Sequence, residues 1–143
     1  MKRSLLLLGG LALVAAVAQA VPPRWAPDEK GGARQRVNLY RVAPGKHLEF
    51  LRWQALQDEV AKEAGVPVPQ IYTHLDGDAW DFLFLAPVTT AEQDQKLDAI
   101  ATRRGLKTGF AAGIEFRQFL TWHTDTLAAG PTSAADLVAA ASR

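Results

Sequence analysis

The hydrophobic positions change period several times along the chain, and each change marks an element. Ser4 to Val17 is an almost unbroken apolar run, preceded by Lys2 and Arg3 and followed by Ala18-Gln19-Ala20. Val21 to Gln35 is rich in Pro, Gly and charge, with one isolated Trp25, and reads as a flexible leader. Arg36 to Val42 then places Val37 and Leu39, and Tyr40 and Val42, on both faces of a first strand. Ala43-Pro44-Gly45 turns the chain into a helix from about Lys46 to Ala64. Leu48, Leu51, Ala55 and Leu56 form its apolar side there, widened by Phe50, Trp53 and Val60. Gly65 suits the position after the helix, and Pro67 and Pro69 prevent its resumption.

Gln70 to Leu75 and Ala79 to Ala86 are two strand-like runs separated by Asp76-Gly77-Asp78, a strong hairpin signal. In the second run Trp80, Phe82 and Phe84 share one face and Leu83 and Leu85 the other, so both faces of the sheet look covered. Thr89-x-x-Glu92 and Thr90-x-x-Gln93 are alternative capping boxes for a second helix carrying Leu97, Ile100 and Ala101. Arg103 and Arg104 fall in its last turn, where cations complement the helix dipole, and Gly105 ends it. A short helix over Phe110 to Leu120, a strand over His123 to Ala128 and an alanine-rich helix over Ala134 to Ala141 complete the chain. Strand, helix, hairpin, helix, strand is the βαββαβ order. The expectation is an α+β, ferredoxin-like domain over 36–143 with a four-stranded antiparallel sheet and extra C-terminal helices. Helices on one side of such a sheet leave an apolar face bare, and a second copy of the chain is the economical cover, so a homodimer through the sheet is expected.

The N-terminal pattern adds a location. A short basic region, an apolar stretch of about 14 residues and an A-x-A site read as a cleavable secretory signal over 1–20, with export to the periplasm or beyond. The stretch is shorter than the roughly 20 residues of a membrane-spanning helix, and Val21-Pro22-Pro23 cannot prolong it. Without cysteine there is no site for a lipid anchor, no disulfide and no thiolate chemistry, so no stable membrane anchor is expected after cleavage. Loss of Lys2 and Arg3 takes 16 basic residues to 14 against 15 acidic ones, a net charge of −1. A near-neutral domain without a basic block is not built for nucleic acid.

Candidate chemistry is sparse. Neither a phosphate-cradling glycine motif nor a nucleophile elbow is present, and the three serines lie in the signal and the tail. Metal-ligand spacings are lacking as well, so neither a metal nor a cofactor is expected. His47 reads as a surface residue at the start of the first helix. His74 follows Tyr72 at alternate spacing near Asp76. His123 is followed two residues later by Asp125, which on a strand shares its face and can orient the ring. His74, His123 and Asp125 are therefore the candidate catalytic groups, against the plainer reading of polar clusters at strand ends. Tyr40, Trp53, Tyr72 and Trp80 are the candidate binding residues for an aromatic or apolar molecule, and the same rings would equally serve a core or a dimer face. Asp81, a charge inside an apolar strand, suits an edge position or an ion pair with Arg41.

The run Leu39-Tyr40-Arg41-Val42-Ala43-Pro44-Gly45-Lys46, then Leu48-Glu49-Phe50, and the hairpin after the helix resemble the dimeric α/β-barrel superfamily. More narrowly, they resemble small exported or NIPSNAP-like members whose first strand reads Y-x-V-x-P-G. The resemblance extends over 36–129. It implies dimerisation back to back through the sheets and a pocket in each subunit between sheet and helices. The superfamily includes cofactor-free monooxygenases, haem-handling enzymes, aromatic-compound isomerases and members with no known activity, among which fold does not choose. Two functions follow as expectations: binding, with or without transformation, of a small apolar or aromatic ligand, or a non-enzymatic module for interaction and self-association in the cell envelope.

Overall fold

The computed structural model describes residues 34–142, so the expected N-terminal signal over 1–20 lies outside the described residues. Strand β1 (Arg34–Val42) leads to helix α1 (His47–Ala64), the hairpin β2 (Gln70–Thr73) and β3 (Phe82–Pro87), then helix α2 (Ala91–Arg103). Helix α3 (Gly109–Arg117), strand β4 (Leu120–Ala129) and helix α4 (Ala134–Ala141) follow. The sheet runs β2-β3-β1-β4 with every pairing antiparallel, which is the ferredoxin-like βαββαβ arrangement. β1 begins two residues inside the stretch read as leader, and Arg34 pairs with Ala129.

β1 is central because both its neighbours come from distant sequence: Tyr40 faces Phe82 on one side and His123 on the other. Period-2 alternation then sends Asn38, Tyr40 and Val42 under the helices, where all three are buried. Phe82 and Phe84 join them from β3, and Phe50 of α1 closes the cluster from above, fully buried. A second cluster gathers Val60, Ala61, Ala64, Val66, Ile100 and Ala101 where α1 meets α2. Around it, Glu63 forms ion pairs with both Arg103 and Arg104, and Lys96 Nζ donates to the Ala64 carbonyl at 2.7 Å, satisfying an end of α1. The arginine pair therefore clamps one helix to another.

Four expectations are revised. The buried stripe of α1 is Phe50, Val60, Ala61 and Ala64, while Leu48, Leu51 and Leu56 are exposed. The aromatic floor of the sheet decides this, since only Phe50 meets Tyr40, Phe82 and Phe84 together. The hairpin strands stop at Thr73 and resume at Phe82, leaving Trp80 outside β3. Here the Asp76 and Asp78 carboxylates accept from the N–H groups of Gly77 and Ala79 at 2.8 and 2.6 Å, local bonds that compete with a strand ladder. α3 ends at Arg117, and β4 starts at Leu120, three residues before the expected strand. Asp81 accepts from the Val42 N–H at 2.7 Å and lies 3.3 Å from His47 Nε2, while Arg41 donates to the Ala79 carbonyl. Of the two capping boxes, Thr90 with Gln93 is formed.

The α1 register has a direct consequence. Phe50→Ala should cost about 3–5 kcal/mol and Leu51→Ala about 1 kcal/mol or less, read from urea denaturation midpoints. Equal losses at the two positions would contradict this packing.

Candidate functional site

The antiparallel register of β1 and β4 places Asn38 opposite Asp125 and Tyr40 opposite His123, all on the helix-facing side of the sheet. The Tyr40 and His123 rings stack at 6.5 Å between centroids, and Phe116 of α3 meets Tyr40 at 5.5 Å and His123 at 5.8 Å, edge-on. Trp53 of α1 packs on Phe116 at 5.4 Å, and its indole N–H donates to Glu115 Oε2 at 3.3 Å. Between these elements lies a groove of about 350 Å³, bordered by Asn38, Tyr40, Trp53, Phe116 and Asp125. Of the seven residues singled out in the sequence, Tyr40, Trp53 and Asp125 border the groove, and His123 packs beside it against Tyr40 and Phe116.

The other three lie elsewhere. Tyr72 stands on the opposite face of the sheet beside Leu83, half exposed, with its hydroxyl 3.1 Å from Gln70 Oε1. His74 and Trp80 pack against each other with centroids 4.6 Å apart and ring planes tilted by 56°, in the loop between the hairpin strands. The His74 Nε2 atom is buried there without a hydrogen-bond partner among the described residues. The supposed pocket of six rings is divided between two faces and a loop.

The electrostatics of the groove centre on Tyr40. Burial pushes its phenol up to about 12, the Asp125 charge adds to the rise, and the Asn38 amide and Arg36 oppose it. The hydroxyl is thus a donor over the whole neutral range. His123 Nε2 stands 3.6 Å from Asp125 Oδ2, beyond a good hydrogen bond, so the carboxylate attracts a protonated ring but does not hold it by a hydrogen bond in this arrangement. Among the described residues no group of three His, Cys, Asp or Glu side chains could hold a metal ion.

Asn38 is the residue that sequence reasoning passed over. It is buried to 7% exposure on the floor of the groove, and its Oδ1 has no hydrogen-bond partner among the described residues. An amide at the parity of Tyr40 and Val42, buried with them, was the available signal. Gln54 and Gln57, on the inward side of α1, give a similar one: both line the groove from above.

No protein-family model matches the chain, and no curated protein does. Among solved structures it is similar to the crystal structure of an uncharacterized NIPSNAP domain protein from Burkholderia xenovorans. Identity is 14%, the match covers 71% of this chain and 96% of that one, and the TM-score is 0.43. The ferredoxin-like fold is established by the strand order itself.

Proposed function

We propose that the chain binds a small apolar or aromatic molecule in the groove between β1, β4, α1 and α3. The observation that carries this reading is Asn38. An amide oxygen left unpartnered in a protein interior costs about 1–3 kcal/mol, and a donor on a bound molecule would remove that cost. Tyr40, Trp53 and Phe116 supply the apolar, aromatic walls, and the Tyr40 hydroxyl supplies a second polar contact. His123 beside Asp125 would be the group able to move a proton at this site, should the ligand be transformed.

The reading extends to where and how the protein works. The signal over 1–20 supports export and maturation at Val21. The face of the sheet away from the helices carries Val37, Leu39, Leu83 and Leu85, flanked by Tyr72 and Trp122, which favours a second copy as its cover. This face is also what would serve the alternative function of an envelope self-association module. Native mass spectrometry of the chain from its own host addresses both: the expected species are two copies of a polypeptide starting at Val21, with a small molecule retained. An intact precursor mass would overturn export, and a single copy at micromolar concentration would overturn the covered sheet.

Gly113 of α3 lines the groove, and a Cβ built there meets nothing within 4 Å. Gly113→Leu should fill the space, and the chain should keep its fold because replacing a helical glycine gains up to about 1 kcal/mol of propensity. Calorimetric titration with acetanilide should show binding to the native chain and at least a tenfold loss in this variant. Unchanged affinity in a folded variant would move the binding site elsewhere.

Tyr40 predicts an alkaline limit. Below its ordinary value of 10.0 the phenol is protonated in both folded and unfolded chains. Above it the unfolded chain releases the proton while the folded one keeps it until about 12. Stability should therefore fall by up to about 1.4 kcal/mol per pH unit across that interval. The chain has two tyrosines, so Tyr72→Phe leaves one to follow. Its tyrosinate absorbance should rise near 12 in the folded chain and near 10.0 in urea. A folded-state midpoint near 10.0 would remove the buried phenol from the argument.

A further inference from the structure

The groove has a neighbour. A second hollow, of about 270 Å³, lies between α1, α2 and the start of α3, walled by Val60, Val66, Ala86, Leu97 and Ala101. Gln54, Gln57 and Ala112 border both hollows. The same place divides the core. The aromatic cluster around Phe50 and the aliphatic cluster around Val60 stand on either side of Gln54 and Gln57. The position is unusual for glutamine, because Gln57 lies two turns beyond Phe50 and one turn before Ala61, on the stripe of α1 that is otherwise buried. Gln54 donates to Asp58 Oδ1 at 2.8 Å, whereas Gln57 makes no side-chain hydrogen bond to a described residue. A leucine there would join the two clusters into one core; the chain keeps an amide and two hollows.

Size points the same way. Sites for drug-sized ligands span roughly 300–1,000 Å³. Of the two hollows, the one of about 270 Å³ falls below that range and the one of about 350 Å³ near its bottom, and joined they fall within it.

We infer that the two hollows form one channel with a polar waist at Gln57, and that its ligand is elongated, with an aromatic end beside Tyr40 and Trp53, an amide- or ester-like group at the waist, and an alkyl end beside Val66 and Leu97. This rests on the proposed binding role of the groove and specifies the class of molecule. Gln57 is the specificity-determining residue: its amide can both donate to a carbonyl and accept from an N–H, which hydrocarbon walls cannot do. The alkyl end gains affinity from each methylene it buries against the aliphatic cluster.

Two anilides separate this inference from the reading beneath it. Acetanilide carries the aromatic end and the amide alone; hexanoylanilide adds the alkyl tail. With the mature chain, calorimetry should show hexanoylanilide bound at least tenfold more tightly. Ala86→Phe, which fills the second hollow from the sheet side, should abolish that advantage while leaving acetanilide affinity within about twofold. Thr108→Phe, at the other wall, replaces it if circular dichroism shows Ala86→Phe to be unfolded. Gln57→Leu should weaken both anilides about tenfold, since one hydrogen bond of ordinary strength is lost. If acetanilide binds and the tail adds nothing, or if filling the second hollow leaves the advantage intact, the channel is overturned and the groove reading survives. If neither anilide binds, the groove reading falls and the channel with it.

Discussion

The contact on which the rest of the structure depends is the meeting of Tyr40, Phe84 and Phe50 at the centre of the sheet. Tyr40 sits on β1, one of the two inner strands of the sheet, edge-on to Phe84 at 5.0 Å and to Phe50 at 5.7 Å. Each such ring pair contributes about 0.5–1.5 kcal/mol beyond the area it buries. Because the rings are rigid and large, they also fix where α1 can lie. Any other rotation of the helix would turn Phe50 to solvent and put Leu48 or Leu51 over a floor they cannot fill. Phe116 approaches Tyr40 from the far side and sets α3 at a distance, so the groove is the space left between two helices held apart by aromatic contacts.

Most of this architecture was legible in the sequence because its signals are local. The capping box at Thr90, Gly65 after α1 and the second capping box at Ser133 mark helix ends by hydrogen bonds within a few residues. The βαββαβ order follows from the succession of periods alone. The stripe of α1 was not legible, since both the leucines and Phe50 with Val60 have helical spacing and only the partner surface chooses between them. The hairpin was partly legible: Asp76-Gly77-Asp78 does reverse the chain, but its carboxylates bond to the loop backbone and shorten the strands.

The site was legible to a lesser degree, for a related reason. Alternation correctly gives Tyr40 its face on β1, and the spacing of His123 and Asp125 gives them a shared face on β4. It does not say which face of β2 matches them. A strand two places away in the sheet has its parity set by the register of two further pairings. Tyr72 falls beside Leu83 and Leu39, on the side away from Tyr40, for that reason. Trp80 and His74 escaped because the loop that holds them was read as strand. Asn38 and Gln57 were overlooked because amides are poor signals by themselves; they become informative only when the surrounding surface is known to be buried.

Those amides also bear on how stability is distributed. Without cysteine the fold relies on packing, yet its core is divided where packing would be most effective, under the middle of α1. The aromatic cluster ties β1 and β3 to the start of the helix, and the aliphatic cluster ties its end to α2. α1 runs continuously from one cluster to the other, from Phe50 to Ala64. A molecule bound there, as proposed, would touch both clusters at once and meet the unpartnered amide oxygen of Asn38. Its binding would then add to the stability of the folded state, growing with the logarithm of its concentration over its dissociation constant. On the proposed reading, the division that weakens the empty fold would be offset by an occupant, which would be a reason for a small domain to keep polar side chains where hydrocarbon would pack better.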